Sequence, residues 1–287
     1  MKAYLSLVKF AHTVFALPFA LLAFFLGLQS RQGHMPWAVL ILVLLCMVFA
    51  RSAAMAFNRY VDRSIDAKNA RTAIREIPAG IIRPQTAMRL VVLTSIGFMV
   101  CAYFINPLCL YLSPLALLVI LGYSYTKRFT WLCHFILGLG LGLAPVGAFI
   151  AVTGKFEVLP ILYGLMVMLW VGGFDILYAL QDESFDRQNG LHSIPVRFGH
   201  TGAKLFAIVA HTACAILLCY ITWYQSQRFP TLGALHWIGA SGFIALLAWQ
   251  HFLVFRYDLQ RINQAFFQTN GIASVIFGAA VIADVLF

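Results

Sequence analysis

Apolar stretches long enough to cross a lipid bilayer recur along the whole chain, and they limit its possible folds more than any other feature. A transmembrane helix needs about 20 consecutive apolar residues. Only 10% of the residues are charged, against about 25% in soluble domains. Because lipid offers no partners to backbone polar groups, these stretches must satisfy their own hydrogen bonds as helices. We therefore expect an all-α, polytopic membrane protein.

The positions of charged and turn-forming residues divide the apolar sequence into nine predicted transmembrane helices in one bundle. No low-complexity segment or second domain is visible, so residues 1–287 are predicted to form a single domain. The predicted spans are residues 10–29, 37–60, 86–105, 108–124, 131–152, 159–180, 203–224, 234–254 and 265–286.

The distribution of Lys and Arg predicts the orientation of the bundle. With the N-terminus inside and the C-terminus outside, fifteen of these cations fall on the inner side and three on the outer side. The loops after spans two, four and six then face the cytoplasm. A net charge of +10 is explained by the anionic inner leaflet, so no nucleic-acid partner is expected. The predicted location is the bacterial cytoplasmic (inner) membrane.

Acidic residues are scarce, and most of them fall into two short segments on the predicted cytoplasmic side. A carboxylate at the centre of a membrane helix costs about 2.5–3.5 kcal/mol on insertion scales, so acids near membrane depth usually mark a functional site. Seven of the ten acids are clustered: Asp62, Asp66 and Glu76, then Asp175, Asp182, Glu183 and Asp186.

Helical spacing places oxygen ligands on one face within each cluster. Oxygen ligands without Cys or His suit a hard cation, and Mg²⁺ completes its octahedron with water and substrate phosphate. The two predicted stripes are Asn58, Asp62 and Asp66 at i, i+4 and i+8, and Asp175, Tyr178, Asp182 and Asp186 at i, i+3, i+7 and i+11.

Basic residues follow both stripes in the sequence, and their positive charges could bind an oxyanion. Carboxylates that hold metal, surrounded by cations, predict a diphosphate site on the cytoplasmic face. For one cluster alone, topology signals and helix-end salt bridges are the better interpretation. Two clusters with matching geometry reverse that preference. The cations are Lys68, Arg71, Arg75, Lys127, Arg128, Arg187 and Arg197, with Tyr123 in the middle loop.

Arg51 lies seven residues before Asn58 and therefore on nearly the same helix face, but deeper in the membrane. Its distance from Asp62 along the helix axis is roughly 16 Å at 1.5 Å per residue. A guanidinium at that depth needs a partner. A substrate carboxylate is one candidate, and pairing with backbone carbonyls or with Asp175 is equally supported.

Three ordered motifs together resemble the UbiA superfamily of intramembrane aromatic prenyltransferases. The N-x3-D-x3-D pattern that begins at Asn58, followed by NARTAIREIPAG, resembles its first signature. DILYALQDESFD from Asp175 resembles the second signature, and YSYTKRFT from Tyr123 resembles the Y-x3-K segment between them. Nine transmembrane helices are also the architecture of that family.

The resemblance implies Mg²⁺-dependent transfer of a polyprenyl group from polyprenyl diphosphate to a ring carbon of an aromatic, hydroxybenzoate-like acceptor in quinone biosynthesis. Arg51 would bind the acceptor carboxylate. Tyr178 could stabilise the carbocation and Asp175 could orient the acceptor or take up a proton, although both side chains could simply hydrogen-bond within the bundle. The implied metal ligands are Asn58, Asp62, Asp66, Asp182 and Asp186, and the implied diphosphate ligands are Arg71, Arg75, Lys127 and Arg128.

Two departures from the hydroxybenzoate enzymes leave the acceptor open. Ile176 replaces a common Thr, and GLHSIPVRFG from Gly190 replaces a G-x-K-S-T segment. GLHSIP resembles a branch found in menaquinone makers, so a futalosine-derived benzoate or a naphthoate is an alternative acceptor. His192 in this motif is interpreted as a family variant and not as a metal ligand.

A secondary transporter of divalent cations or organic anions is the alternative from a different functional class. A transporter predicts polar side chains that continue to the outer face of the bundle. Spans seven to nine contain few polar side chains, which favours the enzyme: Thr212, Thr222, Ser241, Gln268 and Asp284.

Overall fold

Helices form all of the regular secondary structure in the part of the chain that the computed structural model describes, which is Leu7 and residues 15–30, 35–262 and 264–287. This confirms the predicted all-α fold. The helices are α1 (Leu17–Gln29), α2 (Trp37–Val61), α3 (Arg63–Asp66), α4 (Pro84–Ile105), α5 (Pro107–Thr126), α6 (Cys133–Thr153), α7 (Val158–Ala179), α8 (Glu183–Gln188), α9 (Ile194–Arg228), α10 (Leu235–Tyr257) and α11 (Asn270–Leu286). Short helical turns lie at Leu180–Asp182, Asp258–Arg261 and Gln264–Thr269.

Eight helical segments of the described residues are long and apolar enough to cross a membrane, which confirms a polytopic membrane protein. They correspond to predicted spans two to nine. The first predicted span, residues 10–29, contains α1, which has 13 residues, and its residues 10–14 lie outside the described part of the chain. The count of nine spans and the N-in orientation stay predictions.

The seventh predicted span differs most from the structure, because α9 begins at Ile194 and not at residue 203. Ser193 caps this helix by accepting a hydrogen bond from Val196 N at 3.3 Å, and Pro195 suits the first turn. Gly199 then interrupts the helix with φ 70° and ψ −179°, a conformation that favours glycine. This interruption and the polar side chains of Arg197, His200, Thr201 and Lys204 concealed the helix start from hydropathy.

Two compact units divide the chain. The first contains Trp37–Thr126, and the second contains Lys127–Phe287 together with α1. In the first unit, α2 packs against α4 and α5, and α4 also packs against α5. The segment between α3 and α4 is anchored to this unit by Ile77 and Ile82, which are buried in one apolar cluster with Ala56 and Val91.

An aromatic core holds the second unit together. Trp170 of α7 is fully buried, and its ring centroid lies 5.4 Å from that of Phe19 and 5.4 Å from that of Phe243. Phe277 of α11 completes the group, with its ring centroid 5.9 Å from that of Phe243. Because these rings come from α1, α7, α10 and α11, they fix four helices of this unit around one point.

Glycines allow α6 and α7 to approach closely within the second unit. A Cβ atom on Gly138 would lie 2.4 Å from Met168 O, and one on Gly142 would lie 2.4 Å from Gly164 O. Small residues at such positions are the usual means of close helix packing in membranes. Gly140 differs from both, because a Cβ atom there would meet nothing within 4 Å.

Gly138→Ala is therefore expected to lower the melting temperature of the detergent-purified protein by at least about 3 °C, since overpacking costs about 1–3 kcal/mol. Thermal unfolding monitored by circular dichroism measures the change. Gly140→Ala is the matched control in the same helix and should leave the melting temperature within about 1 °C. Equal losses in the two variants would contradict close packing at Gly138.

The last helices contain more buried polar side chains than the sequence analysis predicted. The Tyr163 hydroxyl donates to Gln225 Oε1 at 2.6 Å, and Trp170 Nε1 donates to Asn270 Oδ1 at 2.9 Å. Gln225 and Asn270 are fully buried. These amides are tolerated at membrane depth because they bond to partners on neighbouring helices of the second unit.

Candidate functional site

The first acidic stripe lies where α2 ends. Asp62 has φ −88° and ψ 3° and separates α2 from the single-turn helix α3. The helical hydrogen bonds nevertheless continue, because Asp62 N donates to Asn58 O at 2.9 Å and Asp66 N donates to Asp62 O at 2.7 Å. The Asn58 amide also donates to Asp62 Oδ2 at 3.0 Å. The structure thus brings Asn58 and Asp62 together across a short interruption that the sequence did not predict.

Asp66 is the most deeply buried acid of the first unit. Its Oδ1 accepts a bond from Arg75 Nη1 at 2.6 Å, and Thr72 Oγ1 donates to its backbone carbonyl at 3.0 Å. Its Oδ2 is buried and has no hydrogen-bond partner. A buried carboxylate oxygen without a partner is costly, so it is the kind of atom that a bound cation would satisfy.

Arg59 is a buried cation of this region to which the sequence analysis gave no role. It lies close enough to Asp66, Arg75 and Glu76 to interact electrostatically with them, and only 5% of its surface is exposed. Glu76 is buried as well. In the sequence, only the position of Arg59 directly after Asn58 pointed to a role in the site. That position did not distinguish it from a cation that merely sets the membrane topology.

Arg51 lies on α2, seven residues before Asn58. Its Nε is buried and has no hydrogen-bond partner. Tyr123 of α5 lies near enough to interact electrostatically with it. A buried guanidinium nitrogen without a partner fits the predicted role in binding an anion. Arg71, a predicted diphosphate ligand of this unit, is exposed in the segment between α3 and α4.

In the second unit, Lys127 Nζ and Asp186 Oδ2 form an ion pair of 2.7 Å. The Asp186 side chain is 1% exposed, whereas that of Lys127 is 36% exposed. Backbone bonds fix the surroundings, because His192 N donates to Lys127 O at 2.7 Å and Leu191 N donates to Asp186 O at 2.9 Å. The GLHSIP motif thus anchors the Lys127 loop. Arg128, the next residue, is exposed in the same loop.

The second acidic stripe spans three elements and is not one continuous helix. Asp175 belongs to α7, Asp182 ends the turn Leu180–Asp182, and Asp186 belongs to α8. Asp182 and Asp186 interact electrostatically. Glu183 differs from its neighbours, because it pairs with Arg187 at 3.0 Å in an i, i+4 surface contact. No site role is needed for Glu183.

Asp175 has a partner that the sequence analysis did not identify. His134, near the start of α6, lies with Nδ1 2.7 Å from Asp175 Oδ2. Tyr178, one turn after Asp175, packs edge-on against Phe267 with ring centroids 6.1 Å apart. His134 and Asp175 are 41 residues apart, so no spacing rule could have joined them.

Within each unit, the predicted oxygen ligands fit Mg²⁺ only together with water or phosphate oxygens. In the described residues, no group of three or more His, Cys, Asp and Glu side chains could hold a metal ion. Mg²⁺ typically uses one or two carboxylates, keeps several waters and takes its remaining ligands from substrate phosphates. The pair of Asn58 and Asp62, the unpartnered oxygen of Asp66, and the pair of Asp182 and Asp186 meet that requirement.

Comparisons with known proteins agree with these motifs. The sequence matches the UbiA prenyltransferase family over residues 16–272. It is 31% identical over 271 residues to the 4-hydroxybenzoate octaprenyltransferase of Nitrosomonas eutropha, covering 91% of this chain and 89% of that protein. It is 28% identical over 259 residues to the enzyme of the same name from Aliivibrio fischeri, covering 90% and 88% of the two chains.

Solved structures give the same result. The apo structure of a UbiA homolog from Aeropyrum pernix K1 superposes with a TM-score of 0.85 and 32% identity, over 96% of this chain and 98% of that one. A UbiA homolog from Archaeoglobus fulgidus bound to GPP and Mg²⁺ shares the fold with a TM-score of 0.76 and 21% identity, over 99% and 100% of the chains. These findings favour the enzyme over the transporter. The chain belongs to the UbiA prenyltransferase family, and it is a prenyltransferase.

Proposed function

We propose that this prenyltransferase uses Mg²⁺ to transfer a polyprenyl group from polyprenyl diphosphate to a ring carbon of a benzoate-type acceptor in quinone biosynthesis. The observation that carries the proposal is the pairing of buried acids with cations, Asp66 with Arg75 and Asp186 with Lys127. Such pairs supply both the carboxylates for a metal and the cations for a diphosphate. The names of the octaprenyltransferase relatives support the acceptor class.

The acidic residues are the proposed metal ligands. Bound Mg²⁺ would neutralise the charge that develops on the departing diphosphate. The Asp66 Oδ2 atom offers a buried negative charge without a hydrogen-bond partner. Mg²⁺ bound with GPP in the Archaeoglobus fulgidus homolog supports the choice of ion. The proposed ligands are Asn58, Asp62, Asp66, Asp182 and Asp186.

Cations beside the acids are the proposed diphosphate ligands. Arg75 and Lys127 pair with Asp66 and Asp186, two of the proposed metal ligands, whereas Arg71 and Arg128 are exposed on neighbouring segments. Guanidinium groups bind phosphate oxygens through paired hydrogen bonds, and a Lys acts as a point charge. In this role they hold the donor while its C–O bond breaks and the electron pair leaves with diphosphate.

Arg51, Tyr178 and Asp175 are proposed to act on the organic part of the reaction. Arg51 binds the acceptor carboxylate through its guanidinium group, whose Nε atom is buried and has no hydrogen-bond partner. The Tyr178 ring stabilises the allylic cation through its π face. A ring carbon of the acceptor then attacks the cation, and Asp175 accepts the ring proton. All these groups are expected to act on the cytoplasmic side of the inner membrane.

Prenylation of a benzoate by the purified protein tests the proposal. The protein in detergent–lipid micelles is incubated with polyprenyl diphosphate, labelled acceptor and Mg²⁺, and the organic phase is analysed by chromatography. We expect a labelled lipid product that disappears when EDTA removes the metal. 4-Hydroxybenzoate, 3-substituted benzoates and a hydroxynaphthoate are compared, since the GLHSIP motif also suggests a futalosine-derived benzoate. Absence of product with every acceptor would refute the proposed reaction.

Arg51→Leu is expected to raise the KM for the benzoate acceptor by about 10- to 100-fold, because a charged hydrogen bond is worth about 1.5–3 kcal/mol. The KM for polyprenyl diphosphate should change by less than about two-fold, since Arg51 lies away from the acids. Steady-state kinetics with each substrate varied separately measures both values. An unchanged acceptor KM would remove Arg51 from the acceptor site.

A further inference from the structure

His134 connects the predicted catalytic carboxylate to the start of a neighbouring helix. Its side chain is almost fully buried, with 3% exposed. Nδ1 lies 2.7 Å from Asp175 Oδ2 on α7, and Nε2 lies 3.4 Å from Ile194 N on α9. One imidazole ring therefore bridges α6, α7 and α9 inside the second unit.

The two contacts determine which ring nitrogen carries the proton. The backbone N–H of Ile194 can only donate, so His134 Nε2 must accept. In a neutral ring the proton then resides on Nδ1, and Nδ1–H donates to the Asp175 carboxylate. The ring cannot flip without losing both bonds. His134 is thus held as an oriented donor toward Asp175.

This donor fixes the direction of the Asp175 carboxyl group by engaging its Oδ2 atom. The Asp175 side chain keeps 25% of its surface exposed, whereas the His134 ring is covered. Asp175 is therefore the member of the pair that a substrate can reach.

We propose that His134 is a positioning residue for proton removal by Asp175. The inference rests on the proposed function. When the ring carbon bonds to the prenyl C1 atom, the allylic C–O bond has broken and its electron pair has left with diphosphate. Aromaticity returns when the ring proton passes to the Asp175 carboxylate, and that proton later leaves to water. His134 holds this carboxylate in one orientation throughout.

A packing role for His134 is the competing explanation. The adjacent Cys133 also contacts the GLHSIP segment, with Sγ 3.6 Å from His192 O. The start of α6 therefore contacts that segment through both Cys133 and His134. Substitution of a residue that only packs helices together should lower stability and weaken donor binding. A positioning residue should lower kcat through Asp175 and leave the KM for polyprenyl diphosphate unchanged.

A double-mutant cycle between His134 and Asp175 separates these explanations. His134→Leu removes both hydrogen bonds, and Asp175→Asn removes the base but keeps a side chain of the same size. We expect each single variant to lose about 100-fold in kcat with the donor KM within about two-fold. The double variant should be no slower than Asp175→Asn alone. If His134→Leu lowers kcat by the same factor in the Asp175→Asn variant as in the wild type, the two residues act independently and the proposal is overturned.

His134→Asn keeps the test decisive if the Leu variant does not fold. Its amide nitrogen can take the place of Nδ1 and donate to Asp175, but the shorter side chain cannot reach Ile194 N. We expect kcat within about 10-fold of wild type, since the bond to Asp175 is preserved. A loss of about 100-fold with an unchanged donor KM would overturn the proposal. An active wild-type enzyme with unaffected His134 variants refutes only this inference, whereas an inactive wild type refutes the proposed function.

Discussion

Asp66→Asn is expected to reduce prenyl transfer by about 1,000-fold or more, because removing a ligand that stabilises charge in the transition state costs several kcal/mol. The substitution preserves size, and the Asn oxygen can still accept the bond from Arg75 that Asp66 Oδ1 accepts at 2.6 Å. The change is therefore confined to the buried negative charge. Initial rates over a range of Mg²⁺ concentrations, measured with the labelled acceptor, give both the maximal rate and the metal requirement.

Glu183→Gln is the matched control for Asp66→Asn. It removes the same charge from the second acidic segment, but Glu183 only pairs with Arg187 on the surface at 3.0 Å. Exposed pairs of this kind contribute about 0–1 kcal/mol, so activity should stay within about two-fold of wild type. Asp66→Asn with normal turnover and normal Mg²⁺ dependence would remove Asp66 from the set of metal ligands.

Lys127→Met is expected to raise the KM for polyprenyl diphosphate by about 100-fold, since a hydrogen bond to a charged group is worth up to about 3 kcal/mol. It should also lower the melting temperature, because Asp186 is buried and would lose its cation. Kinetics with the donor varied and thermal unfolding of the same preparation measure the two effects. The acceptor KM should remain near the wild-type value.

The double variant Lys127→Met/Asp186→Asn separates binding from stability. Neutralising Asp186 removes the unpaired buried charge, so the melting temperature should return toward the wild-type value. Prenyl transfer should be no faster than in Lys127→Met, because both the cation and a proposed metal ligand are missing. Recovery of activity together with stability would show that Lys127 serves only to neutralise Asp186.

The sequence predicted the helical membrane fold and the contact between Asn58 and Asp62, because hydropathy and i, i+4 spacing are local properties. Asn58 and Asp62 are in contact as their spacing required. The break at Asp62 was missed, since the helical hydrogen bonds continue through it and only its dihedral angles depart from the helix. Spacing therefore predicted the contact between Asn58 and Asp62 and missed the boundary of their helix, and the metal-binding role of these residues stays a prediction.

The contacts between residues far apart in the sequence could not be predicted from it. His134 and Asp175 are 41 residues apart, and Lys127 and Asp186 are separated by nearly 60. From the sequence, Arg59 could not be told from a cation that only sets the membrane topology. Its burial close to Asp66 makes the distinction. Pairing across such distances depends on which helix faces meet, and that information is not contained in the periodicity of any one segment.

If Asp66 and Asp186 bind the metal and Arg75 and Lys127 bind the diphosphate, as proposed, the two ion pairs make the binding of each ligand depend on the other. In the proposed roles, a metal ion that binds alone places a second positive charge beside the cation of the pair, which repels it. A diphosphate that arrives alone draws the cation away and leaves the carboxylate unpaired. Each ligand removes the penalty that the other would meet, so each must strengthen the binding of the other by the same factor. The affinity of the enzyme for its lipid donor is then set by the concentration of free Mg²⁺.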